Sequence, residues 1–126
     1  MIEKILIVDD SPVSRKIMKT CIPEDRGYEL LEAGDGRSGI DKYQLSNPDL
    51  TFMDLTMPVM DGMQALQEIM KIDPQAVVIV CTADVQMKTI FKVMNLGALM
   101  VVRKPINKQA IDDALRKAEE KLRNIK

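Results

Sequence analysis

LTFMDLTMPVMDG, residues 50–62, runs from an apolar stretch straight into a carboxylate. Leu50-Thr51-Phe52-Met53 has the make-up of a short buried strand, and Asp54 ends it. Pro58 follows as a rigid point in the loop, and Asp61-Gly62 reads as a turn and helix start, with Asp61 as the cap. In a chain that alternates strands with helices, an acid that stops a strand lies at the carboxyl edge of the sheet. That edge is where open α/β sheets bind ligands and do chemistry. Asp54 is the candidate working residue.

The flanking segments supply the alternation. Upstream, Ile5-Leu6-Ile7-Val8 is a continuous apolar run of the kind buried on both faces of a parallel sheet, and it ends on Asp9-Asp10. Ser11 offers a helix cap and Pro12 suits the first helical position. The helix that follows is expected to reach Cys21-Ile22 with Val13, Ile17 and Cys21 inward, before Pro23 stops it. Tyr28 to Ala33 reads as an edge strand closed by Gly34-Asp35-Gly36, and a second helix covers about Arg37 to Leu45. Asn47-Pro48 then turns the chain into the central strand.

Downstream, a helix from Asp61 presents Ala65, Leu66, Ile69 and Met70 to the core until Asp73-Pro74 breaks it. Val77 to Cys81 is a fully apolar fourth strand ending on Thr82, and the next helix spans about Val85 to Asn95 with Gly97 as its stop. Met100 to Arg103 forms a fifth strand ending on Lys104-Pro105. A final helix, about Asn107 to Arg123, carries Ile111, Ala114, Leu115, Ala118 and Leu122 on one stripe. Five strands alternating with five helices predict one doubly wound α/β domain with a parallel sheet and right-handed crossovers. With strand order 2-1-3-4-5, strands one and three are neighbours at the topological switch point, and Asp9, Asp10 and Asp54 converge there.

Composition narrows the function classes. A chain of 126 residues suits a single domain, here expected over residues 1–126 with no output domain attached. Its 18 basic and 19 acidic residues nearly cancel, which suggests neither a general nucleic-acid binder nor a membrane-surface protein. No window reaches the ~18 consecutive apolar residues of a membrane span, and the N-terminus enters a strand without a signal-peptide layout. Cys21 and Cys81 form no CxxC and sit in apolar settings, the pattern of reduced, buried thiols in a cytoplasmic protein. Histidine is absent, which excludes a Ser-His-Asp triad, a His-containing zinc site and a phosphohistidine carrier.

Three convergent carboxylates raise one another's pKa and call for a positive partner. Lys104 supplies one from a neighbouring strand end. Carboxylates with carbonyl, water and phosphate oxygens suit Mg²⁺ rather than zinc. A lysine suits phosphate as a mobile point charge, Thr82 adds a hydroxyl donor, and Asp54 would be the nucleophile, as in aspartyl-phosphate chemistry. Metal and lysine would neutralise charge on the transferring phosphoryl oxygens.

Four segments in order, IVDDS at 7–11, PDLTFMDLTMPVMDG at 48–62, VCTAD at 80–84 and RKP at 103–105, resemble the receiver domains of two-component response regulators, the CheY-like family. The resemblance implies that Asp54 accepts a phosphoryl group from the phosphohistidine of a sensor histidine kinase or a phosphotransfer protein. It implies that Asp10, Asp54 and the main-chain carbonyl of Thr56 bind Mg²⁺, with Asp9 acting mostly through water. Thr82 and Lys104 would hold the phosphoryl oxygens, and the Lys104-Pro105 bond would be cis. Thr56 and Asp84 stand at the positions that tune the lifetime of the phosphorylated state. The family usually has an aromatic residue where this chain has Val101, so switching here is expected to depend on loop and helix-four movement. The output face would be helix four, strand five and helix five, meeting a downstream protein as a monomer or weak homodimer, without direct nucleic-acid or membrane contact.

Other classes fit less well. An inactive receiver-like scaffold keeps the fold without the chemistry. Haloacid-dehalogenase-type phosphatases place an Asp-x-Asp pair after strand one, whereas Asp9-Asp10 is adjacent and no cap domain is present. A flavin protein needs a hydroxyl- and glycine-rich phosphate loop there, and Asp9-Asp10 would repel the phosphate. The ten methionines read mostly as core filler, with Met57, Met60 and Met63 near the loop after Asp54.

Overall fold

The computed structural model describes residues 1–57 and 59–125; Pro58, expected as the rigid point of its loop, lies outside the described residues. The strands are β1 (Lys4–Val8), β2 (Glu29–Ala33), β3 (Leu50–Asp54), β4 (Val78–Thr82) and β5 (Met100–Arg103). The helices are α1 (Pro12–Cys21), α2 (Gly36–Ser46), α3 (Gly62–Ile72), α4 (Met87–Leu96) and α5 (Lys108–Ile125), with a 3₁₀ turn at Glu24–Arg26. All pairings are parallel, as expected from the alternation, and the order is β2-β1-β3-β4-β5, the one that sets strands one and three side by side.

Strand alternation divides the core into two layers. Ile5, Ile7, Phe52 and Ile79 face α1 and α5, where Ile111, Ala114, Leu115 and Ala118 are completely buried. Fully burying a side chain such as Ile111 or Leu115 contributes about 2 kcal/mol. Leu6, Val8, Met53, Val78 and Val80 face the other way, against Ile40 and Tyr43 of α2, Ala65, Leu66 and Ile69 of α3, and Val93 of α4. Every residue of β3 and β4 is buried, which is why apolar side chains dominate both, with Thr51 the polar exception short of the strand ends.

Capping follows the sequence chemistry. The side chains of Ser11, Asp35 and Asp61 accept from the backbone N–H groups of Ser14, Ser38 and Gln64, and Pro12 opens α1. α4 starts two residues later than expected and stops at Gly97. The Lys104-Pro105 bond is cis.

Helix α1 corrects one expectation. Val13 and Ile17 are not inward; they are 68% and 46% exposed, whereas Met18 and Cys21 are buried. Cys21 is inward as expected, but Ser14 and Met18 take the inward places expected of Val13 and Ile17, each one residue further along the first two turns. The cause is polar. Asp9 accepts the Ser11 N–H on Oδ1 at 2.9 Å and the Ser14 hydroxyl on Oδ2 at 2.6 Å, which fixes the helix phase at its first turn.

Candidate functional site

The site is built from four strand ends. Asp9 follows β1, Asp54 ends β3, Thr82 ends β4 and Lys104 follows β5. Register sets them side by side: Val8 pairs with Met53, Asp54 with Cys81, and Thr82 with Arg103. The backbone N–H of Lys104 donates to the Thr82 carbonyl at 2.9 Å, which extends the β4–β5 ladder to the lysine itself. Asp9, Asp54 and Thr82 are buried, and Asp10 is exposed.

The structure brings the three acids together. One carboxylate oxygen from each of Asp9, Asp10 and Asp54 lies within 4.8 Å of the others. Lys104 Nζ stands 3.0 Å from Asp9 Oδ2 and 3.2 Å from Asp54 Oδ1. All the donors are hard oxygens, one acid is open to solvent, and the set fits a small divalent cation such as Mg²⁺.

Asp9 and Asp54 are shifted in opposite directions although they share one lysine. Burial pushes Asp9 up, but the Ser14 hydroxyl, the Ser11 N–H and Lys104 together outweigh it and hold this carboxyl below its ordinary value. Burial also pushes Asp54 up, and there the attraction of Lys104 does not make up the difference, with Asp9 and Asp10 adding repulsion. Asp54 therefore stays above the usual carboxylate range. Burial alone would lower Lys104; the Asp9 hydrogen bond and the charges of Asp54 and Asp9 raise it.

Thr82 Oγ1 accepts the Asp84 N–H at 3.0 Å. Asp84 is exposed and leads into α4, accepting from the Gln86 N–H at 3.0 Å and the Thr89 hydroxyl at 2.8 Å. Thr56 is exposed in the loop after β3. Val101 is half-buried in β5, paired with Val80 and packed on the α2–α4 side of the sheet.

Sequence reasoning missed the roles of two glycines, Gly62 and Gly36, and of two α1 side chains, Ser14 and Arg15. Gly62 donates its N–H to the Leu55 carbonyl at 2.9 Å, and a Cβ there would fall on the carbonyl oxygen of Asp54 itself. Gly36 donates to the Met60 carbonyl at 3.0 Å, and a Cβ there would strike that same carbonyl. The loop carrying the acid is thus clamped between two helix starts. Asp61-Gly62 was legible as a turn, but the close approach is tertiary. Of the α1 side chains, Ser14 accepts from Lys104 Nζ on its Oγ at 3.3 Å while donating to Asp9. The signal in sequence is spacing, since Ser14 lies three residues past the Ser11 cap and one helical turn up from Asp10. Arg15 adds a brace, donating to the Asp9 carbonyl at 2.6 Å and pairing with Glu32 of β2 at 2.9 Å.

With this geometry in hand, comparison with known proteins is specific. The family profile of the response regulator receiver domain matches residues 5–116. The chain is 40% identical over 116 residues to the chemotaxis protein CheY of Thermotoga maritima, covering 91% of this chain and 96% of that protein. It is 38% identical over 118 residues to CheY of Bacillus subtilis, covering 93% and 98%. Among solved structures, it is similar to a receiver domain protein of Clostridium thermocellum (TM-score 0.89, 28% identity, 98% and 99% covered). It is also similar to the chain in the CheX-CheY-BeF3-Mg²⁺ complex of Borrelia burgdorferi (TM-score 0.86, 28% identity, 93% and 89% covered).

Proposed function

This chain belongs to the response regulator receiver domain family, and from that premise we propose that it is a phosphorylation-dependent signalling module whose phosphoacceptor is Asp54. The observation that carries the reading is the Lys104 ammonium set between Asp9 and Asp54 at the switch point of the sheet. An Asp54 oxygen attacks the phosphorus of a partner's phosphohistidine; the new P–O bond forms as the P–N bond breaks, and the imidazole leaves. The chain supplies position and charge, and acts as an acceptor rather than a turnover enzyme.

Asp10, Asp54 and the Thr56 carbonyl would hold Mg²⁺, with Asp9 beside them; when bound, the ion neutralises charge on the phosphoryl oxygens. Lys104 then exchanges its Asp54 contact for a phosphoryl oxygen, and the Thr82 hydroxyl donates to another. Burial, with repulsion from Asp9 and Asp10, raises Asp54 in the metal-free site, and a phosphoryl group adds further negative charge, so the cations Lys104 and Mg²⁺ would have to offset both.

The readout face is α4, β5 and α5. Met87, Phe91 and Met94 are exposed at helical spacing along α4, and a groove of about 520 Å³ runs along β5 and the start of α5 past Val101, Lys104 and Ala110. Val101 has no ring to swing inward, so the loop after Thr82 and α4 carry the change. A downstream protein target docks there, and a sensor histidine kinase or phosphotransfer protein meets the acid end.

The test is amide chemical shifts in Mg²⁺ alone and in Mg²⁺ with beryllofluoride, a phosphoryl mimic. The expected result is movement at Asp54, Thr82 and Lys104 that spreads into α4 and β5. Shifts confined to the acids would leave an inactive receiver-like scaffold as the better account.

A further inference from the structure

We propose that Ser14 is a positioning residue of this site: its hydroxyl is the third leg of a tripod that holds the Lys104 ammonium between the two buried acids. An ammonium has three N–H donors. The structure sets three oxygens around the Lys104 ammonium: it donates to Asp9 Oδ2 at 3.0 Å and to Ser14 Oγ at 3.3 Å, and it forms an ion pair with Asp54 Oδ1 at 3.2 Å. Ser14 in turn donates to Asp9 Oδ2 at 2.6 Å, so it binds lysine and acid at once. All four groups line one narrow cavity of about 10 Å³ with Cys81, Phe52 and Ile106.

The helix is arranged around this contact. α1 turns Ser14 inward and leaves Val13 and Ile17 exposed, an orientation that apolar burial alone would not choose. Two consequences follow. In the resting state the Ser14 oxygen keeps the ammonium on the α1 side, so Asp54 retains only the longer of the two carboxylate contacts. When Lys104 moves to a phosphoryl oxygen, the Ser14 hydroxyl remains on Asp9 and keeps that buried carboxylate hydrogen-bonded in place. The second consequence rests on the reading of Asp54 as phosphoacceptor; the first does not.

The experiment compares wild type with Ser14→Ala and Ser14→Thr, which keeps the hydroxyl. The first readout is the ¹⁵N–¹H signal of the Lys104 ammonium in metal-free protein, assigned by its loss in Lys104→Arg. Two hydrogen bonds and the Asp54 ion pair slow its exchange with water; Ser14→Ala is expected to exchange several-fold faster, and Ser14→Thr to recover. The second readout is the rate of phosphorylation by acetyl phosphate with Mg²⁺, expected to fall several-fold in Ser14→Ala and to recover in Ser14→Thr, with thermal unfolding recorded alongside to show that each variant is folded. A wild-type ammonium signal in Ser14→Ala overturns the proposal. So does a Ser14→Thr variant that behaves like Ser14→Ala, because packing rather than the hydroxyl would then be the cause. A wild type that takes no phosphoryl group counts against the phosphoacceptor reading, while the ammonium signal still decides the role of Ser14.

Discussion

Lys104 Nζ lies 3.2 Å from Asp54 Oδ1, and that contact does not compensate for burying the Asp54 carboxylate. The same ammonium sits 3.0 Å from Asp9, which has two more donors of its own and is held below its ordinary pKa. One lysine is shared unequally by two acids. The acid left short is the one proposed to react.

Asp54 should therefore cost stability. A carboxyl whose pKa is raised on folding binds more protons in the native than in the unfolded state. Stability then falls as pH rises from the unfolded value through the folded one, and the loss persists at neutral pH. Asp54→Asn removes the charge and keeps the shape. Its melting temperature at pH 7 should rise by a few degrees, the response to about 1 kcal/mol in a domain of this size. A lower melting temperature would show that the ionised acid is well compensated.

Lys104→Met should act in the opposite direction. It keeps the apolar stem and leaves Asp9 and Asp54 facing each other without a cation, at a cost of about 2 kcal/mol at neutral pH. The profile carries the sign. Asp9, lowered on folding, contributes stability above the unfolded carboxylate value and loses it as pH falls through the folded one. Lys104, raised on folding, contributes below the unfolded lysine value and loses it as pH rises through the folded one. The gap between wild type and variant in denaturant midpoint should thus be widest between about pH 5 and pH 9 and close on both flanks. A gap independent of pH would point to packing.

Gly62→Ala tests the clamp on the Asp54 loop. With the new methyl placed on the Asp54 carbonyl, β3 and α3 must part, at a cost of at least about 2 kcal/mol. Phosphorylation should fall with it, because the backbone of the acid is what moves. Wild-type unfolding and reactivity in this variant would contradict the close approach.

Thr51 makes an independent claim about the core. It is completely buried in β3, and among the described residues its Oγ1 has no hydrogen-bond partner. Thr51→Val keeps the branched shape and removes the unpaired oxygen, so it should stabilise the domain by about 1 kcal/mol in chemical denaturation. Destabilisation would mean that the hydroxyl is satisfied in solution.

Much of this was legible in the chain. The alternation, and the acids and lysine at the strand ends, followed from where apolar runs stop; the strand order that brings Asp9, Asp10 and Asp54 together was carried by the resemblance to receiver domains rather than by periodicity. Such signals are local: a run, a period, a terminating charge. Ser14 was not legible, because its partner Lys104 lies 90 residues away and counting apolar residues gives a hydroxyl no weight. The same blindness reversed the expected faces of Val13 and Ile17. The tight approach of Gly62 to Asp54 was hidden for a related reason, since a turn residue and a backbone contact look alike in one dimension.

The central claim is that Asp54 takes up one phosphoryl group. Intact mass after incubation with acetyl phosphate, with and without Mg²⁺, on wild type and Asp54→Ala tests it directly. The expected result is a single Mg²⁺-dependent addition to wild type that is absent from Asp54→Ala. An addition that survives in Asp54→Ala, or a wild type left unmodified in Mg²⁺, would contradict it.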